Sequence, residues 1–124
     1  MAHPQFTCTV AVAYLPEQSQ PQAGMHAFAY TVTIVNSGDI TAQLVARQWI
    51  VTDANGHTEE VRGLAVIGHQ PLLKPGEKFE YTSWTRIATP QGTMRGAFYC
   101  MTEKAHPFDV PVPEFVLTRP EQLH

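Results

Sequence analysis

The sequence carries little charge, and the charge it has is not concentrated. Only 15% of the 124 residues are Asp, Glu, Lys or Arg, and the formal net charge is −3. The eight Lys and Arg residues never form a run. Non-specific nucleic-acid binding requires a basic face that displaces counterions, so the sequence predicts no nucleic-acid partner. A surface with so few charges does little to keep copies apart, which leaves a homo-oligomer open.

Long apolar runs are absent as well. No stretch reaches the roughly 20 residues that a membrane-spanning helix needs, so we predict no membrane partner. The first ten residues, MAHPQFTCTV, contain no basic segment followed by an apolar one, as an export signal would. We therefore expect the protein in the cytoplasm.

Metal-ligand patterns are sparse. The two cysteines, Cys8 and Cys100, lie near opposite ends of the chain, and two buried thiols are favoured over a disulfide in a reducing cytoplasm. The chain has no C-x-x-C or H-x-x-H pair. The sequence therefore predicts no metal site and no cofactor. The histidines are isolated from one another, at His3, His26, His57, His69, His106 and His124.

What the chain does contain is an alternation of apolar and polar residues with a period of two. FTCTVAVAY (6–14) and FAYTVTIVN (28–36) place every second residue on one apolar face, as half-buried strands do. The pattern predicts an all-β chain of about seven or eight antiparallel strands in two packed sheets. We expect one domain over residues 1–124, with a core from about 6 to 118. Further strand segments are predicted at 40–53, 58–63, 79–85, 93–102 and 114–119, the last after two prolines that suggest a sheet edge.

The stretch RGLAVIGHQP (62–71) is the nearest approach to a chemical signature. Gly63 and Gly68 occupy the first and last glycine positions of G-x-G-x-x-G, but the middle position is Ala65. Such a loop holds phosphate at the N-terminus of a following helix. Pro71 and Pro75 prevent a helix here, so we interpret the loop as structural.

In that structural interpretation, the apolar segment 64–67 crosses between strands. The alternative is a loop over residues 62–74 that binds a phosphate or nucleotide compound. Its candidate binding residues are Arg62, Gly63, Gly68, His69 and Lys74, with the two cations and the histidine as anion donors.

Catalytic constellations are also missing. Ser37 and Ser83 lack the G-x-S-x-G turn that exposes a nucleophile, and Glu59 and Glu60 point to opposite faces of a strand. We therefore predict that the protein is not an enzyme. A partner-binding surface is the remaining candidate site. Its predicted residues are His69, Gln70, Leu72, Leu73 and Trp84, with Phe108 as a possible extension if these side chains are exposed together.

Taken over its length, the sequence resembles the ApaG domain family. The resemblance runs from about Thr9 to Leu117, and its landmarks are FAYTVTI, R-x-W-x-V-T-D, VRG…VIG-x-QP-L-x-PGE-x-F-x-YTS and TPQGTMRG. It implies an immunoglobulin-like or fibronectin type III-like β-sandwich. The family's G-x-G-x-x-G maps onto Gly63, Ala65 and Gly68, and its YTS-G maps onto residues 81–84. This chain therefore departs from the family at two glycines, with Ala65 in the first motif and Trp84 in the second.

The resemblance also bears on function. The domain occurs in a eukaryotic F-box substrate adaptor and in a polymerase-associated protein, which implies protein binding. Bacterial members are encoded beside a diadenosine tetraphosphate hydrolase and are associated with cobalt sensitivity. We predict a non-enzymatic binding module of the ApaG type with an unknown protein partner. The alternatives are the phosphate-compound binder or enzyme that uses residues 62–74, and a factor in divalent metal (cobalt or magnesium) homeostasis.

Overall fold

The computed structural model describes residues 2–119, which form eight β-strands and two single-turn 3-10 helices. The helices, at Pro16–Gln18 and Pro21–Ala23, lie between the first two strands. None of the described helices has the length or the apolar character needed to cross a membrane. The strands are β1 (Phe6–Tyr14), β2 (His26–Asn36), β3 (Ala42–Asp53), β4 (Thr58–Leu64), β5 (Leu72–Leu73), β6 (Lys78–Ile87), β7 (Gly92–Thr102) and β8 (Pro107–Leu117).

The strands form two antiparallel sheets. The first has the order β1-β2-β6 and the second the order β4-β3-β7-β8. The short β5 pairs with β3 at residues 42–43, where β7 already occupies the other side of β3, so β5 continues the edge formed by β4. The predicted two-sheet β-sandwich is confirmed.

The core fills the space between the two sheets. Phe28, Val32 and Ile34 of β2 face Leu44 and Phe98 of the second sheet, and all five are 0% exposed. Complete burial of one such side chain stabilises the fold by about 1.5–3 kcal/mol. The alternation in the sequence therefore marks the inward faces correctly.

The last strand is longer than the alternation predicted. It begins at Pro107 rather than at 114 and includes Pro111 and Pro113. Because β8 pairs only with β7, at the edge of its sheet, a residue without an N–H group can be accommodated there. The edge position was predicted, but the strand residues before the prolines were not.

A β-bulge in β3 sets the orientation of the residues that matter below. The pairing with β7 shifts register between Leu44 and Ala46, which leaves Val45 as the extra residue. After the bulge, the odd-numbered residues Arg47 and Trp49 face the first sheet, as Leu44 does before it. The strand thus keeps an apolar inward face while delivering one arginine to it.

Candidate functional site

The sandwich is open along one side, between the edge strands β4 and β6. On the other side the edges β1 and β8 are bridged by an edge-to-face contact of Phe6 with Phe108, with ring centroids 5.4 Å apart, beside a cavity of about 440 Å³ that the same two strands line. On the open side a cavity of about 160 Å³ separates the sheets. We call this the β4–β6 cleft, which is lined by Arg47, Trp49 and Val61 from the second sheet and by Ser83, Trp84 and Thr85 from the first.

Exposed apolar side chains border the β4–β6 cleft, Val61 on the inward face of β4 opposite Trp49, and Trp84 on the outer face of β6 between the inward-facing Ser83 and Thr85. Trp84 is 53% exposed and Val61 is 42% exposed. The guanidinium of Arg86 lies 4.8 Å from the centroid of the Trp84 ring, a cation–π contact that restricts the indole. An indole that is held in place yet half exposed offers a partner a large apolar surface at little cost in side-chain entropy.

Arg47 lies inside the same cleft and is half buried. Its Nη1 donates hydrogen bonds to the carbonyl oxygens of Leu64 and Ala65, at 3.2 and 2.9 Å. Neither acceptor is charged. The ion pairs within residues 2–119 are His57–Glu59 and Arg62–Glu60, so no carboxylate of this part of the chain neutralises Arg47.

Gly63 is the residue that makes room for this arginine. It pairs with Arg47 across β3 and β4, and a Cβ at position 63 would lie 2.7 Å from Nη1. The guanidinium therefore occupies the space that a side chain at 63 would fill. The first glycine of the G-x-G-x-x-G pattern thus leaves space for an arginine side chain of the neighbouring strand.

Behind the β4–β6 cleft lies a buried aromatic cluster built around Trp49, which is 2% exposed. Its ring meets Tyr30 and Phe98 edge-on, with centroids 5.6 Å away in both cases. Burial raises the pKa of the Tyr81 hydroxyl, which lies near enough to the Trp49 indole N–H to be affected by it. Neither polar atom makes a hydrogen bond of normal geometry within residues 2–119. The core next to the cleft therefore has unmet hydrogen-bonding capacity.

The loop that partly matches G-x-G-x-x-G is a tight β-hairpin. Val66 and His69 exchange two backbone hydrogen bonds, of 2.8 and 2.9 Å, around Ile67 and Gly68. The φ angles of Ile67 and Gly68 are +48° and +76°, as a two-residue type I′ turn requires. Gly68 is thus needed for its backbone conformation.

The hairpin also shows that the crossing segment was wrongly predicted. Both β4 and β5 pair with β3, so the chain stays on one sheet through this region. Of the apolar residues in 64–67, only Val66 enters the core, at 0% exposure, whereas Leu64 is 74% and Ile67 55% exposed. One anchoring side chain holds the hairpin against the sandwich.

The N–H groups of this loop are largely used by the fold. Those of Val66 and His69 donate to each other's carbonyl groups, and that of Ala65 donates to the Val45 carbonyl at 2.8 Å. A phosphate-binding loop instead needs N–H groups that converge on an empty space. The geometry therefore gives the phosphate interpretation of residues 62–74 no support.

The predicted anion donors have other neighbours. Arg62 faces outward on β4, where its Nε lies 2.7 Å from a carboxylate oxygen of Glu60. The His69 ring packs against Phe79, with centroids 5.7 Å apart. Lys74 is exposed in the turn between β5 and β6, and its backbone N–H donates to the Glu77 carboxylate at 2.7 Å.

The predicted partner surface is only partly assembled. Leu73 lies in the core at 5% exposure, which removes it from that surface, whereas its neighbour Leu72 is 60% exposed. Side chains alternate along a strand, so two adjacent leucines of β5 cannot share a face. Gln70 is exposed, but its Nε2 donates to the Val45 carbonyl and its own carbonyl accepts from Gln43. Trp84 is the predicted residue that lines the cleft.

Sequence reasoning missed Arg47 and Val61 as parts of a site. The spacing of residues in β3 indicates an irregularity in the strand, because the buried residues Leu44 and Trp49 are an odd number of positions apart. An unbroken strand would place them on opposite faces, so the spacing indicates a bulge between them. Arg47 and Trp49 share a face in any case, because they are two positions apart, and the bulge is what turns that face to the same side as Leu44.

The thiols and the acidic residues offer no reactive centre. Burial raises the pKa of the Cys8 thiol to about 11 and that of Cys100 to about 12, the latter with a contribution from Asp109. Both cysteines are free thiols that stay protonated at neutral pH, which makes them poor nucleophiles and poor metal ligands. Within residues 2–119, no three His, Cys, Asp or Glu side chains are grouped as a metal site would require.

The strained position in the hairpin leads to a stability prediction. Ala65 has a φ of +68°, a conformation that disfavours side chains with a Cβ by about 1–2 kcal/mol. Glycine relieves this strain but gains freedom in the unfolded chain, so Ala65→Gly should raise the free energy of unfolding by about 0.5 kcal/mol. Urea denaturation monitored by tryptophan fluorescence measures the difference.

The control for Ala65→Gly is Ala54→Gly, at an exposed turn residue without a positive φ. There only the unfolded-state entropy changes, so the free energy of unfolding should fall by about 0.4–1 kcal/mol. Equal losses in the two variants would show that Ala65 is not strained.

Comparisons with known proteins agree with this architecture. The family model described as DUF525: ApaG domain matches residues 16–102. The Protein ApaG of Ralstonia nicotianae is 55% identical over 124 residues, which is 100% of both chains. The Protein ApaG of an Acidovorax species is 56% identical over 115 residues, which cover 91% of this chain and 84% of the relative.

Solved structures share this fold. The crystal structure of a Bordetella pertussis protein named ApaA superposes with a TM-score of 0.93 at 50% identity, covering 94% of this chain and 95% of that one. The C-terminal domain of wzt, at 7% identity and a TM-score of 0.52, covers 95% and 77% of the two chains and shares the fold alone. On the family match and the identity over its whole length, the chain belongs to the ApaG domain family.

Proposed function

We propose that the protein is a non-enzymatic binding module that recognises a protein partner through the β4–β6 cleft. The observation that carries the proposal is Trp84, a half-exposed indole on the outer face of the edge strand β6, beside the opening between the two sheets. Tryptophan is enriched among the residues that dominate the energetics of protein interfaces. The partner is proposed to present an extended segment to this opening.

The edges of the two sheets support an extended partner. β4 and β6 each pair with one neighbouring strand, so one side of each presents backbone N–H and C=O groups that no strand of residues 2–119 covers. An added strand can satisfy such groups while its alternate side chains enter pockets between the sheets. Charged residues of β4, such as Glu60 and Arg62, disfavour indiscriminate pairing and leave room for a selected partner.

The absence of activated groups supports a binding role over catalysis. The raised pKa of Cys8 and Cys100 keeps both thiols protonated at neutral pH. Within residues 2–119, no serine or cysteine side chain is hydrogen-bonded to a histidine, which is the pairing that activates a nucleophile. The two free thiols also fit the proposed cytoplasmic location, where disulfides are rare.

Site-specific photo-crosslinking tests the proposed function. A benzoylphenylalanine at position 84, on the edge strand beside the cleft, should give covalent adducts of discrete mass in living cells, because it replaces an aromatic residue at the proposed contact. The matched control is position 116 on β8, since Val116 is 55% exposed and Trp84 is 53% exposed. Mass spectrometry identifies the captured chain.

Two results would count against this function. Adducts that are equally abundant at positions 84 and 116, or absent from both, would show that the cleft does not select a partner. Turnover of a nucleotide by the purified protein, lost on mutation of a cleft residue, would contradict a non-enzymatic role.

A further inference from the structure

We infer that the partner segment carries a single acidic residue whose carboxylate binds the guanidinium of Arg47 in the β4–β6 cleft, an inference that rests on the proposed function. Its basis is the incomplete environment of Arg47. This half-buried cation is bonded to two neutral carbonyls and to no carboxylate of residues 2–119. A charge that is partly removed from water and not neutralised is unfavourable, and an incoming anion relieves the cost.

The Arg47 guanidinium has N–H groups that make no hydrogen bond within residues 2–119. An arginine side chain has five N–H groups. Both of its hydrogen bonds within residues 2–119 come from Nη1, so Nη2 and Nε have no acceptor in this part of the chain. A carboxylate can accept two parallel hydrogen bonds from such a group, which is the strongest pairing available to arginine.

The surroundings of Arg47 fit a carboxylate on a short side chain. The cavity of about 160 Å³ has a mixed lining, with apolar side chains that include Trp49 and Val61 and a hydroxyl at Ser83 that can donate a further hydrogen bond. Trp49 and Val61 keep part of this lining apolar, and surroundings of low dielectric strengthen a charge pair. An aspartate or glutamate flanked by apolar residues matches this mixed lining, because its carboxylate can accept from Arg47 and Ser83 while its neighbours meet the apolar side chains.

The charges around the cleft limit the number of acidic residues to one. The whole chain has a net charge of −3, which opposes a generally acidic partner. Further along the same side of β4, Glu59 pairs across from Val51. Asp53 and Glu59 line the adjoining cavity of about 310 Å³ together with His57 and with Arg86, whose guanidinium lies over the Trp84 ring. A second acidic residue in an extended segment would approach these carboxylates and be repelled. The partner chemistry is therefore one acid among apolar neighbours.

A display selection tests the inference with a defined probe. Random linear 12-residue peptides are selected on the wild-type protein, and we expect an acidic residue at one fixed position, with apolar residues beside it. Replacing that acid by its amide in a synthetic peptide should weaken binding about tenfold to a hundredfold, the scale of a charged hydrogen bond. On Arg47→Gln protein the same replacement should have no effect, because the carboxylate has lost its partner.

Two variants keep the result interpretable. Arg62→Gln removes an exposed arginine from the outer face of β4. It should leave the loss of affinity caused by the acid-to-amide replacement unchanged. Arg47→Lys keeps the charge but not the two-pronged geometry and should give an intermediate loss. Arg47→Gln protein should still bind the amide peptide about as well as wild-type protein does, which a variant that fails to fold could not do.

The possible failures are distinct. Selected peptides that crosslink to position 84 but need no acid would overturn the inference and leave the proposed function standing. Selection that yields no peptide crosslinking at position 84 would overturn both. An amide replacement that weakens binding equally on wild-type and Arg47→Gln protein would show that the acid binds elsewhere, which also overturns the inference.

Discussion

Replacing Val66 with aspartate is expected to lower the free energy of unfolding by about 4 kcal/mol. Val66 is 0% exposed, although it lies in a hairpin whose neighbouring residues face solvent. The substitution removes the burial of an aliphatic side chain, worth about 1.5–3 kcal/mol, and places an unpaired carboxylate in the core. The hairpin should detach from the sandwich before the sheets separate, because Val66 is its one core contact among residues 64–67.

The loss in Val66→Asp should depend on pH. Burial raises the pKa of the introduced carboxyl above its unfolded value of about 4. The folded state therefore binds the proton more tightly, so the penalty is complete above the raised pKa and shrinks as the pH falls towards about 4. Urea denaturation of wild-type and variant protein at pH 7 and pH 4 measures the change.

The control for this prediction is the next residue along the chain. Ile67→Asp introduces the same group at a side chain that is 55% exposed, and it should change the free energy of unfolding by no more than about 0.5 kcal/mol. Losses of similar size at both positions would mean that Val66 does not anchor the hairpin.

Replacing Gly96 with alanine is expected to cost about 3 kcal/mol, at the upper end of the usual range for overpacking. A Cβ at this position would collide with the backbone carbonyl oxygen of Gln48 and come within 2.8 Å of Cε3 of Trp49. The backbone oxygen cannot rotate away as a side chain could, so β3 and β7 must separate locally. Thermal and urea denaturation should both report the loss, and tryptophan fluorescence should change because Trp49 is displaced.

The matched variant is Ala97→Ser, which also adds a single heavy atom in β7 but at a half-exposed side chain. It should lie within about 0.5 kcal/mol of wild type. If Gly96→Ala were tolerated equally well, the close approach of β3 and β7 at this point would be contradicted.

The alternation of residue types predicted most of the strands for a physical reason. A strand between core and solvent must change polarity at every residue, so FTCTVAVAY was predicted to be β1 with its observed bounds. Where polarity does not alternate, the prediction was wrong. The prolines of 107–113 lie within β8, which tolerates them because it pairs on one side only.

The loop at 62–71 also separates what local sequence predicts from what it cannot predict. Pro71 within it and Pro75 after it excluded a helix, and the glycines marked the loop as a place of unusual backbone. Local sequence could not show that Gly63 accommodates Arg47, because the two residues are brought together only by the pairing of β3 with β4. Nor could it show which of three neighbouring aliphatic residues enters the core, since Leu64, Val66 and Ile67 are equally apolar.

The sequence by itself thus determined the all-β class, the turns and most inward faces, because each depends on residues close together in the chain. It also identified Trp84 as a candidate contact residue. Only the tertiary structure decided that β4 and β6 are the open edges, that a bulge turns Arg47 inward, and that this cation meets no carboxylate of residues 2–119. These features arise from pairing between distant segments, and the free energy of that pairing depends on the whole sandwich.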